Sequence, residues 1–156
     1  MGFINRMAGR CPASKMGVYS LLQLRSRLLA CPMGIRRWAC AIQLALIAVL
    51  SLLPPWLFPP AVVQIPGMDK WIHGAMYGLL GVLLRWAAGQ EKASMASWWL
   101  PLAGAGYGLL MELLQLHLSG GARMFSWGDA AANLVGVVVF WYGAGRFLAN
   151  QQTLGN

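Results

Sequence analysis

In an otherwise apolar chain, polar side chains able to do chemistry stand at four places: Asp69, Lys70 and His73; Glu112 and Gln115; Arg123; and Asp129 with Asn133. A histidine oriented by a carboxylate is a general base, so His73 with Glu112 or Asp129 is the candidate acid–base set. Lys70 and Arg123 together could hold a phosphate or a carboxylate. No nucleophile accompanies them, because Ser119 and Ser126 fall at loop or cap positions. An enzyme built from these residues would work without a covalent intermediate. His73, Glu112, Asp129 and His117 also offer nitrogen and oxygen ligands. The chain lacks a dense H-x-x-x-H motif, however, and spacing puts His117 off the Glu112/Gln115 stripe, so no metal and no cofactor are expected.

Helical spacing assigns these residues to faces. Asp69, His73 and Tyr77 recur at i, i+4 and i+8, Glu112 and Gln115 at i and i+3, and Asp129 and Asn133 at i and i+4. Small residues mark nearby faces: Gly74, Gly78 and Gly81 in the first of these segments, and Gly104 and Gly108 in series with Glu112. Such spacing lets helix backbones approach closely in lipid, so the polar stripes are expected to face one another. Simpler readings stand beside this one. Asp69 suits a helix N-terminus after Pro66-Gly67, Ser126 with Asp129 fits a capping box, Lys70 can snorkel, and Tyr77 can be bundle packing.

The elements that must position these side chains are apolar helices. Of the 156 residues, 58% are hydrophobic and 10% charged, against about 25% charged in soluble domains. Residues 38–68 and 93–111 carry no charge, nor do residues 130–145. Four spans are read: 38–53, starting near Arg36; 69–86; 97–117; and 127–147. Pro54-Pro55 and Pro59-Pro60 end the first, because proline lacks the backbone donor and disfavours a helical predecessor. Pro101 falls in the opening turns of the third, where a missing N–H does least harm. The fold class is therefore all-α, a four-transmembrane-helix bundle.

Orientation follows from the cations. Arg36 and Arg37 precede the first span, Arg85 and Lys92 close the second, and Arg146 closes the fourth, which places both termini in the cytoplasm. The polar groups of three spans then fall at the outer side of the membrane, together with Arg123 in the loop between spans three and four. Glu112 lies about six residues, ~9 Å, inside the outer boundary. Burial there favours an internal partner such as Arg123 or Lys70.

Residues 1–35 form a basic, poorly organised segment, with Met33 as an alternative start; residues 36–148 form the transmembrane domain and 149–156 a short tail. The net charge of +8 fits an insertion signal better than nucleic-acid binding, since no nucleic-acid module is present. Cys11, Cys31 and Cys40 form no C-x-x-C pair and read as incidental thiols. The tetrapeptide 28-LLAC-31 imitates a lipoprotein cleavage box, but Arg25 and Arg27 stand where the apolar stretch should be.

With these motifs in order, the chain resembles the VanZ-like family of small bacterial membrane proteins. The likeness covers about residues 36–145 and rests on Asp69, Lys70, His73, Tyr77 and Leu80; Tyr107, Gly108, Glu112 and Gln115; Arg123; and Asp129, Asn133 and Gly136. It implies a multi-pass protein of the bacterial inner membrane and brings no settled reaction; the family's association with teicoplanin resistance is not carried over. Three functions are expected to compete: binding of a polar or anionic envelope ligand such as a lipid headgroup or cell-wall precursor, acid–base catalysis on that ligand, or a structural role in a membrane complex. Membrane lipids are the expected partners.

Overall fold

The computed structural model describes residues 23–24, 26–54, 57, 66–89, 97–118 and 124–149. The chain divides into two compact units, Met1–Cys31 and Pro32–Asn156. In the first, residues 23–24 and 26–30 are helical, and Ser26 Oγ donates to the Gln23 carbonyl at 2.8 Å.

The second unit contains α1 (Met33–Leu52), α2 (Met68–Ala88), α3 (Trp99–Leu118) and α4 (Trp127–Ala149), with no strand among the described residues. Helix α1 begins at Met33, ahead of the expected start near Arg36, because the turn after Pro32 is already helical and the Arg36 N–H reaches the Pro32 carbonyl. It ends as anticipated. Leu53, which precedes Pro54, is extended at φ −61° and ψ 136°, the region a following proline enforces.

Two glycines frame α2. Gly67 has φ 76° and Gly89 has φ 69°, left-handed values that favour a residue without Cβ. The Gly67 carbonyl accepts from the Lys70 and Trp71 amides, which opens the helix. Pro101 lies in the first turn of α3, where no intrahelical bond requires its nitrogen. At the start of α4 the Asp129 amide donates to Ser126 Oγ at 3.2 Å, half of the anticipated capping box.

Lateral contacts fix the directions. Going along α2 and α4 together, Lys70 faces Asp129, His73 faces Asn133, and Arg85 faces Gly145, so the two helices run parallel. Leu44 and Ser51 of α1 meet Tyr107 and Gln115 of α3, so these two also run together. Gln43 of α1 meets Met76 of α2 while Arg36 meets Trp86, so α1 is antiparallel to α2. The result is an up-down-up-down bundle.

The α2–α4 seam is closest. A Cβ on Gly136 would lie 2.5 Å from the Gly74 carbonyl oxygen, and one on Gly81 would collide with the Val137 carbonyl. Small residues therefore bring two backbones into contact, as the glycine spacing implies. Beside the seam, Ile47, Tyr77, Leu80, Met111 and Val137 make the buried core. Polar side chains join it: Gln43, Glu112, Gln115 and Asn133 are buried, whereas Trp38, Ile42, Leu46, Leu102, Val135 and Phe140 are exposed. This reverses the sidedness of a water-soluble helix, whose polar stripe faces out.

Candidate functional site

The reversal concentrates at one end of the bundle. Helix α2 begins there, α3 ends there and α4 begins there, so residues distant in sequence become neighbours through helix direction alone. His73 Nδ1 stands 3.0 Å from Asn133 Oδ1 and 3.7 Å from Glu112 Oε1. Ligand atoms of His73, Glu112 and Asp129 all lie within 4.8 Å of one another. Glu112 and Asn133 are each 1% exposed. Three helices thus contribute one imidazole, one amide and two carboxylates to a single cluster.

Around it the remaining expected residues take different places. Lys70 Nζ contacts Asp69 Oδ2 at 3.0 Å and Asp129 Oδ1 at 3.6 Å. The depth of Glu112 in its span suggested Arg123 or Lys70 as its partner; in the fold Lys70 spans the two aspartates, and its Cε lies over Gly128, where a Cβ would come within 2.8 Å. Asp69 is half-exposed and marks the rim. Tyr77 is fully buried one turn below His73, with no hydrogen-bond partner for its hydroxyl among the described residues. Arg123 lies outside the described residues.

Gln115 shares the Glu112 stripe but does another job. Its amide donates to the Ser51 carbonyl at 2.8 Å, tying α3 to α1. Gln43 to the Met76 carbonyl at 3.0 Å and the Tyr107 hydroxyl to the Leu44 carbonyl at 2.9 Å are links of the same kind. Gln43 carried no motif; its signal is a lone amide in an uncharged span, where an unsatisfied polar group is costly. His117, set aside by spacing, is exposed and bonds the Leu113 carbonyl of its own helix.

Helix proximity here depends on Gly108. A Cβ at this position would meet Asn133 Cβ at 3.0 Å, Asn133 Nδ2 at 3.1 Å and Tyr77 Cε1 at 3.1 Å. Its absence lets α3 settle against both α2 and α4 one turn before Glu112. The glycine and glutamate of the i, i+4 series therefore act together, the first admitting the approach that buries the second.

The opposite end is arginine-rich. Arg36 Nη1 donates to the Trp86 carbonyl at 3.2 Å with its guanidinium 5.7 Å from the Trp86 ring, and Arg85 Nη1 donates to the Gly89 carbonyl at 3.3 Å, 5.4 Å from the Trp141 ring. Both complement the carbonyls at the negative end of α2. Among the described residues the bundle is polarised, with Asp69, Glu112 and Asp129 at one end and Arg36, Arg85 and Arg146 at the other.

The site can accept protons at His73, hold a cation between its oxygens, and donate through Lys70 at its rim. Comparisons with protein families, with curated proteins and with solved structures find no match for this chain.

Proposed function

We propose that the chain is a four-span bundle of the bacterial cytoplasmic membrane, a VanZ-like protein with both termini inside and a polar pocket opening outward. The pocket takes the polar or anionic part of an envelope molecule, a lipid headgroup or a cell-wall precursor. Lengths of 20 to 23 residues give each helix a rise of about 30 Å or more, the thickness of a hydrocarbon core. By length and composition two of them, α1 and most of α4, are apolar enough to cross a membrane. The other two bury Arg85, Glu112 and Gln115, and all four expose apolar side chains outward. Placing the arginine-rich end in the cytoplasm satisfies the positive-inside rule.

The observation that carries the binding reading is the meeting of half-buried His73 and Asp129 with fully buried Glu112 and Asn133. Ionisable groups inside an apolar bundle cost free energy, and such clusters mark binding or proton-handling sites. Native mass spectrometry of gently purified protein tests the reading. Wild type should retain an envelope lipid or precursor, and His73→Ala or Asp129→Ala should release it while protein levels stay normal. A ligand-free wild type would sink the proposal.

A second reading is favoured by the position of His73 between an amide oxygen and a carboxylate, the setting of a general base. An acid–base enzyme would keep the copurifying ligand in His73→Ala and lose turnover. If the cluster is instead purely structural, His73→Ala and Asp129→Ala should themselves deplete folded protein from the membrane.

A further inference from the structure

The cluster has the donor set of a metal site. Its three convergent ligands are one imidazole and two carboxylates, drawn from α2, α3 and α4. Among the described residues His73 Nδ1 faces two oxygens at close range, Asn133 Oδ1 at 3.0 Å and Glu112 Oε1 at 3.7 Å. Asp129 Oδ1 is buried without a hydrogen-bond partner among the described residues, its nearest cation being Lys70 at 3.6 Å.

The geometry points to a divalent first-row transition ion, of the zinc or manganese class, held by His73, Glu112 and Asp129. Nitrogen and oxygen ligands sit about 2.0–2.2 Å from zinc, which puts neighbouring ligand atoms of a tetrahedron roughly 3.3–3.6 Å apart. The His73–Glu112 separation of 3.7 Å is nearly there. The whole set lies within 4.8 Å, and a small side-chain rotation at Asp129, in the first turn of α4, would close it. Imidazole with carboxylates suits zinc, iron or manganese better than calcium or magnesium.

Charge balances as well. The two carboxylates offset the charge of the ion, and binding through Nδ1 leaves the ring neutral with its one proton on Nε2. Three protein ligands leave a coordination position open, as in catalytic rather than structural sites. With an ion bound, the pocket accepts a phosphate or carboxylate oxygen, and in that respect the inference extends the binding reading above. The ion itself is tested without any such ligand, so the two ideas fail separately.

The experiment uses the full chain, purified in detergent without a histidine tag, stripped with a chelator and titrated with zinc chloride or manganese chloride alone. Metal content and calorimetry should give one equivalent per chain. Asp129→Asn and Glu112→Gln, which preserve shape, and His73→Ala should each weaken binding by about tenfold or more, while His117→Ala leaves it unchanged. Cobalt substituted into wild type should show the visible absorption of a low-symmetry site, absent in Asp129→Asn. Substoichiometric uptake by wild type overturns the proposal. So does equal affinity in a folded Glu112→Gln or Asp129→Asn, or loss of binding in His117→Ala.

Discussion

His73 Nδ1 and Glu112 Oε1 lie 3.7 Å apart at the meeting of α2 and α3, with the carboxylate side chain 1% exposed and the ring 12% exposed. Burial makes this pair energetically different from the other ion pairs at the same end. Leaving a buried polar group without its partner costs about 1–3 kcal/mol, whereas exposed pairs contribute roughly 0–1 kcal/mol. Glu112→Ala should therefore lower thermal stability in detergent more than Asp69→Ala, whose side chain is half-exposed and pairs with its neighbour Lys70. Equal effects would show that Glu112 is not held in a desolvated site.

Gly136→Ala should destabilise the bundle by about 1–3 kcal/mol, the usual scale of overpacking. Its Cβ would press on the Gly74 carbonyl and the Gly78 amide, backbone atoms that cannot rotate away. Gly106→Ala and Gly143→Ala meet nothing within 4 Å, and helix propensity should make them neutral or stabilising by roughly 0.5–1 kcal/mol. Denaturation in mixed micelles measures all three, and a harmless Gly136→Ala would mean α2 and α4 are farther apart than described.

Links from α3 to α1 should weaken singly and modestly. Tyr107→Phe removes a hydroxyl that donates to the Leu44 carbonyl; interhelical hydrogen bonds in membranes average about 0.6 kcal/mol. Gln115→Leu, which removes the bond to the Ser51 carbonyl, should cost a similar amount. Neither substitution touches the His73 cluster, so metal and ligand retention should be unaffected. Loss of either in Gln115→Leu would place that amide in the site rather than in the scaffold.

For orientation, the measurement is cysteine accessibility in a chain with Cys11, Cys31 and Cys40 replaced by serine. Met124→Cys, exposed at the start of α4, should react with an impermeant reagent applied to intact cells from outside the cytoplasmic membrane. Gln90→Cys should react only after rupture. The reverse pattern would turn the pocket inward.

Much of this was legible in the residues because apolar runs, helix caps and spacing are local properties. Gly67 opens α2, Ser126 caps α4, and Pro54 forces Leu53 out of helix at the positions where their chemistry acts. The gathering of Asp69, His73, Glu112 and Asp129 at one end follows from helix direction alone, once neighbouring helices alternate. Spacing also separated His117 from the cluster. The start of α1 was less legible, since Arg36 and Arg37 look like a boundary; Arg36 is buried because it reaches across to the Trp86 carbonyl.

What the sequence determined by itself is which side chains share a helical face, since that depends only on the angle between successive residues. Which neighbour each face meets depends on the rotation and order of the helices, and only tertiary packing decided those. Gln115 and Glu112 lie on one stripe, yet the first bonds α1 and the second faces α2. Lys70 sits between Asp69 and Asp129 instead of reaching Glu112 because the Gly74–Gly136 contact sets α4, not α3, closest to α2. A glycine contact between two backbones thus chooses the partners of charges one and two turns away, and no spacing along a single helix contains that information.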